Sequence, residues 1–196
     1  MPPQRIAISA DAPQIAALMR ASVQSLFPQF YDEQQTASAA VHIAHLDQSL
    51  IDDGTYFVHE WDGEIVACGG WSKRDRLYTG SGDSSDDARL LDPATEPARV
   101  RAMFVRADWT RRGIGRAVLL SCELAAAAAG FRTMALMATL PGVPLYRAFG
   151  FTDVEPATVT MPDGVSIDAL SMTRPISVEY LLRSPTPSAA QEFRTT

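Results

Sequence analysis

Cysteine is scarce in this chain of 196 residues: there are two, Cys68 and Cys122, far apart in apolar stretches. A disulfide framework is not expected, and the pair reads as two buried thiols in a protein of a reducing compartment. Basic charge is also short, with 17 Lys and Arg against 23 Asp and Glu and a net charge of -6. So acidic a chain lacks the phosphate-neutralising surface of a general nucleic-acid binder. Long apolar runs are missing too, and none approaches the roughly 20 residues of a spanning helix. No apolar leader follows Met1, since Pro2, Pro3, Gln4 and Arg5 run straight into a short strand pattern. The expectation is a soluble, cytoplasmic protein with neither membrane nor nucleic-acid partners.

Metal ligands are equally sparse. His42 and His45 fall on one helix face, but no cysteine or carboxylate completes a set with them or with His59. The acidic run at 83–87 lacks the spacing of a calcium loop. No metal site is expected. What the chain does have is 46% hydrophobic residues over a length that can bury a core without such staples.

Pattern reading places strands at 4–9, 55–60, 64–71, 98–106, 132–138, 151–159 and 164–173. Helices are expected at 11–23, where Asp11 and Pro13 mark the start, and at 32–50, 114–129 and 142–148. Trp61-Asp62-Gly63 and Pro162-Asp163-Gly164 read as hairpin turns, and Gly130 and Gly150 as helix stops. Residues 72–97 form a long polar loop, with Gly, Ser and Asp clustered at 80–87. Residues 1–174 then make one domain, and 175–196, rich in Pro, Ser and Thr, a loosely packed tail. The element order β, α, α, β, β, β, α, β, α, β, β is α+β: an antiparallel meander running into a β-α-β crossover.

The most informative stretch runs from Phe104 to Arg116, as FVRADWTRRGIGR. A strand ends, a basic turn with two glycines follows, and a helix begins. Helix-start amides point outward without partners, and the macrodipole adds positive character. Gly113 and Gly115 allow close approach to that backbone, and Arg111, Arg112 and Arg116 flank it, a pyrophosphate cradle in chemical terms. A Walker loop is excluded because no Lys-Ser/Thr pair follows the glycines. A dinucleotide fingerprint fails as well. Its third glycine position holds Val118, and no acidic residue occurs between 124 and 152 to bind a ribose.

Strand, basic glycine turn, Ala-rich helix, strand, and then Leu145-Tyr146-Arg147-Ala148-Phe149-Gly150-Phe151 resemble the GNAT superfamily of acetyl-CoA-dependent N-acyltransferases. The family's Q/R-x-x-G-x-G/A signature falls on residues 110–115, with Thr110 in place of the leading Gln or Arg. The downstream Y-x-x-x-G-F element is matched at 146–151, and the resemblance extends over residues 4–173. It implies a mixed, mostly antiparallel sheet with helices on both faces. It also implies that the strand of Phe104 and the strand at 132–138 splay apart to admit acetyl-CoA. By the same resemblance, Met103, Phe104 and Val105 would pair with the pantetheine arm, and the amides of Arg111, Arg112, Gly113, Ile114, Gly115 and Arg116 would hold the pyrophosphate. Phe149 would wall the cofactor slot.

The implied reaction is direct attack of a primary amine, on a small molecule or a peptide, within a ternary complex. It needs a neutral nucleophile and a proton for the leaving thiolate. No GxSxG elbow offers a covalent route, and Cys122 lies inside a helix. The resemblance places Tyr146 beside the sulfur as general acid. No base stands out among Glu60, Glu96 and water. Arg99 and Arg101 alternate onto one strand face, where they either receive an acceptor carboxylate or form a salt-bridged surface. Trp71 and Trp109 read as packing residues. An exposed sheet edge leaves room for a homodimer. The rival readings are an acyl-CoA sensor of the same fold without transfer, and a ligand-free interaction module.

Overall fold

Seven strands form one sheet in the order β1-β2-β3-β4-β5-β7-β6 in a computed structural model that describes residues 1–75 and 89–177. They are β1 (Gln4–Ile6), β2 (Tyr56–Trp61), β3 (Glu64–Ser72), β4 (Ala98–Val105), β5 (Thr133–Thr139), β6 (Thr152–Thr160) and β7 (Ser166–Pro175). The helices are α1 (Ala12–Leu26), α2 (Glu33–His42), α3 (Gln48–Asp52), α4 (Ile114–Ala128) and α5 (Val143–Phe149). The polar cluster at 80–87 and the tail beyond 177 lie outside the described residues. No helix among the described residues is long and apolar enough to cross a membrane.

The first four strands are an antiparallel meander, opened by a tight hairpin in which Asp62 and Gly63 both have positive φ. Residues of β3 are buried from Ile65 to Ser72, as a central strand covered on both faces requires. Helix α1 lays Ile15, Leu18, Met19 and Val23 onto one face, where they share a core with Phe27, Tyr56 and Val159. On the other face α4 and α5 bury Val118, Leu119, Cys122 and Tyr146 against Trp71 and Met134. Both thiols are free and buried, and burial pushes Cys68 up to about 12.

The helix expected over 32–50 is instead two helices. Asp32 and Gln35 form a reciprocal capping box that starts α2. That helix ends at His42, and Asp47 caps a new one by accepting from the Ser49 amide at 3.0 Å. Asp-x-Ser at 47–49 is a helix-start signal inside an apolar pattern, and the local cap outweighs continuity.

Strands β4 and β5 are the only parallel neighbours among the described strands, joined through α4. They share two residue pairs, Ala98 with Met134 and Arg99 with Ala135, and then separate. Beyond Arg99 the edge of β4 that faces β5 has no strand partner among the described residues, whereas β5 continues to pair with β7 through Thr139. The expected splay is present.

Candidate active site

The gap between the separating strands is a cavity of about 580 Å³. Its walls draw on both cores, with Phe27 and Val159 from the α1 face and Val100 and Tyr146 from the α4 face. The cavity therefore borders both faces of the sheet.

The α4 end is built from backbone. Arg111 has φ 61 and Gly113 has φ 80, and these two left-handed residues curl the turn around the start of α4. Such alternation gathers successive amides into an anion-binding concavity. The first bond of the helix runs from the Ala117 amide to the Gly113 carbonyl at 3.0 Å, and the amides of 111–116 have no backbone acceptor among the described residues. Arg111, Gly113, Ile114, Gly115 and Arg116 all line the cavity. Arg112 does not; its guanidinium lies over the Trp109 ring at 4.7 Å, and Trp109 in turn packs against the half-exposed Trp61. Trp109 is thus the buttress of the turn as well as part of its wall.

Met103, Phe104 and Val105 line the cavity along the unpartnered edge of β4. Just before them the strand bulges. Arg101 pairs with Gly70 and Phe104 with Cys68, so two residues on β4 face one on β3, and Ala102 has φ 52. Two features hold this shape. The Tyr56 hydroxyl donates to the Ala102 carbonyl at 2.7 Å, and Met103 presses onto Gly69, where any Cβ would sit 2.2 Å from its sulfur. Neither Tyr56 nor the bulge could be read from sequence spacing, because the contact spans 46 residues.

Tyr146 enters from α5 and is 8% exposed. Its ring rests on Gly142, where a Cβ would lie 2.7 Å away, and meets Phe151 edge-on at 5.9 Å. Burial raises the phenol above its ordinary value, with the nearby Cys122 adding to the shift, so the group keeps its proton at neutral pH. Phe149 is not on the cavity wall. It is buried under two guanidiniums, Arg174 at 4.4 Å and Arg116 at 5.3 Å, and so anchors the wall residue Arg116.

Arg99 and Arg101 do share a strand face, and both carry carboxylate partners from the chain itself. Arg101, 4% exposed, reaches Asp47 at 2.7 Å, and Arg99 reaches Asp75 at 2.9 Å. Arg101 lines the cavity and Arg99 does not. Asp47 was invisible as a site residue because it sits in the break between α2 and α3. Burial pushes its carboxyl up, but bonds from Ser49 and the Arg101 charge outweigh that and leave it below its ordinary value. Glu60 is held by Arg5 and Glu96 by Arg89, and neither lines the cavity. The histidines do not converge: His42 faces Asp163 at 3.5 Å, and His59 is bonded to the Pro2 carbonyl. Among the described residues no group of three His, Cys, Asp or Glu could hold a metal ion.

Residues 19–151 match the acetyltransferase (GNAT) family. The chain belongs to that family. Solved structures agree on the fold. A GCN5-related N-acetyltransferase from Rhodopseudomonas palustris aligns with a TM-score of 0.68 at 19% identity, over 89% of this chain and 96% of the other. A PaiA N-acetyltransferase from Thermoplasma acidophilum, in complex with coenzyme A, gives 0.62 at 12% identity, over 89% and 99%. A phosphinothricin acetyltransferase from Sinorhizobium meliloti, in complex with AcCoA, gives 0.60 at 21% identity, over 97% and 96%. No functionally curated protein matches the sequence.

Proposed function

We propose that this chain is an acetyl-CoA-dependent N-acetyltransferase that acts on a primary amine by direct attack in a ternary complex. The observation that carries the reading is one cavity bordered by three features: the 111–116 turn, whose amides lack a backbone acceptor among the described residues, the edge of β4 beyond Arg99 and the Tyr146 side chain. The amides fit a pyrophosphate at a helix start, and the β4 edge fits an extended amide-bearing arm that adds like a strand. Acetyl-CoA, bound there, would supply the activated acetyl thioester.

Tyr146 keeps its proton until sulfur charge develops, then donates it as the C–S bond breaks and the C–N bond forms. The nitrogen loses one proton, which returns to the phenolate, so the balance is one proton from nitrogen to sulfur. The β4 bulge, held by Tyr56, turns the strand edge toward the reactants. A cytoplasmic location belongs to the same reading and is supported by the two free, buried thiols.

Thiol release from acetyl-CoA over a panel of amines tests this, with coenzyme A binding measured alongside. Release that falls about 100-fold in Tyr146→Phe, with coenzyme A still bound, is the expected result. Binding without release on any amine would identify a sensor, and absence of binding would overturn the reading.

A further inference from the structure

Resting on that reading, we propose that the acceptor is an amine on an apolar body, taken up as the neutral free base, and that polycations are rejected. The cavity wall on the α1 face carries Leu26, Phe27, Ile43, Met137 and Val159, with Ser22 and Thr139 as small uncharged polar groups and Arg101 as the charged one. The apolar side chains come from α1, the turn after it, the end of α2, β5 and β6, so the apolar character is shared by the whole wall. Among the described residues, none that lines the cavity is acidic.

Among the described residues, the titratable groups facing the cavity are Arg101, Arg111, Arg116 and Tyr146. None of them is an anion at neutral pH, because burial holds the Tyr146 phenol above its ordinary value. The wall residue Arg101 is paired with Asp47 at 2.7 Å, and Asp47 is not itself in the lining. An ammonium entering here loses its hydration and meets a guanidinium and five apolar side chains. Burying an unpaired charge in that way is costly, whereas the free base buries its apolar body at a gain. Polyamines and aminoglycosides, which carry several such charges, suffer most.

The free base is also the form that attacks carbon, so binding and chemistry select the same species. At equal apolar body, an amine with an ordinary pKa near 8, such as a peptide α-amine, outcompetes a lysine-like amine near 10.4. The margin at pH 7 is about 200-fold, the ratio of their free-base fractions.

Calorimetry on the full chain, saturated with coenzyme A to prevent turnover, separates this preference from the chemical step. The probes are 4-phenylbutylamine, 4-phenylbutanol and spermidine, at pH 7 and pH 10. We expect the uncharged alcohol to bind at least tenfold tighter than the amine at pH 7, the gap to close at pH 10, and spermidine to bind weakest. Tighter binding of spermidine, or of the amine over the alcohol at pH 7, would overturn the proposal while coenzyme A binding kept the acetyltransferase reading intact. Failure of coenzyme A itself to bind would instead overturn the acetyltransferase reading, and this inference with it. Ile43→Glu, which places a carboxylate on a half-buried wall position, should shift preference toward spermidine by tenfold or more. If that variant does not fold, the wild-type titrations still decide the matter.

Discussion

The two ends of the cavity are built on opposite plans. The α4 end is backbone: amides of six consecutive residues, curled by Arg111 and Gly113 and set at a helix start. The α1 end is side chain: apolar groups from five elements, together with Arg101, which is paired to Asp47. A phosphate ligand needs N–H groups in a row, which one short segment can supply. An amine acceptor needs a shaped wall, which only tertiary packing can assemble. The first plan leaves a motif in the sequence and the second leaves none.

The largest expected effect breaks the side-chain end. Asp47→Ala leaves the Arg101 guanidinium short of its closest anion in a buried site and removes the cap of α3. Loss of one partner of such a pair costs about 3–5 kcal/mol, read as a marked drop in the thermal midpoint. Next, Tyr146→Phe should lower kcat about 100-fold, some 2.7 kcal/mol in activation free energy, while the KM for acetyl-CoA holds. Gly113→Val attacks the backbone end. A side chain at φ 80 costs roughly 1–2 kcal/mol in the left-handed region, so coenzyme A affinity should fall about tenfold by calorimetry.

The Asp47 pair should also be visible in pH. Its carboxyl lies below its ordinary value in the folded chain, so its contribution is complete above that ordinary value and is lost as pH falls through the folded one. Thermal midpoints of the wild type should drop more steeply below about pH 4 than those of Asp47→Asn. The smallest effect belongs to Arg99→Ala. Its Asp75 partner is 42% exposed, a partly screened pair that contributes about 1 kcal/mol, and Arg99 is not in the cavity lining, so kcat/KM should not move.

Much of the fold could be read from sequence because its signals are local. Asp62-Gly63 set the β2–β3 hairpin, period-two burial set β5, and the Ala-rich stripe set α4. The α2–α3 break is not legible in the sequence because a helical apolar pattern runs across it and hides the Asp47 cap. At the site, the glycine turn and Tyr146 were legible as contiguous motifs. The Tyr56 support of the Ala102 bulge and the Asp47 partner of Arg101 were not, since each joins residues about fifty positions apart. Phe149 illustrates a finer limit. The motif marks its position in the chain, but only packing shows that it lies beneath Arg116 and not on the wall.

Titration of coenzyme A into the purified chain, beside Gly113→Val, tests the central claim most directly. Binding in the micromolar range at one site per chain, weakened about tenfold in the variant, is the predicted result. No measurable heat with the wild type, or equal affinity for both proteins, would contradict a coenzyme site built on the amides of 111–116.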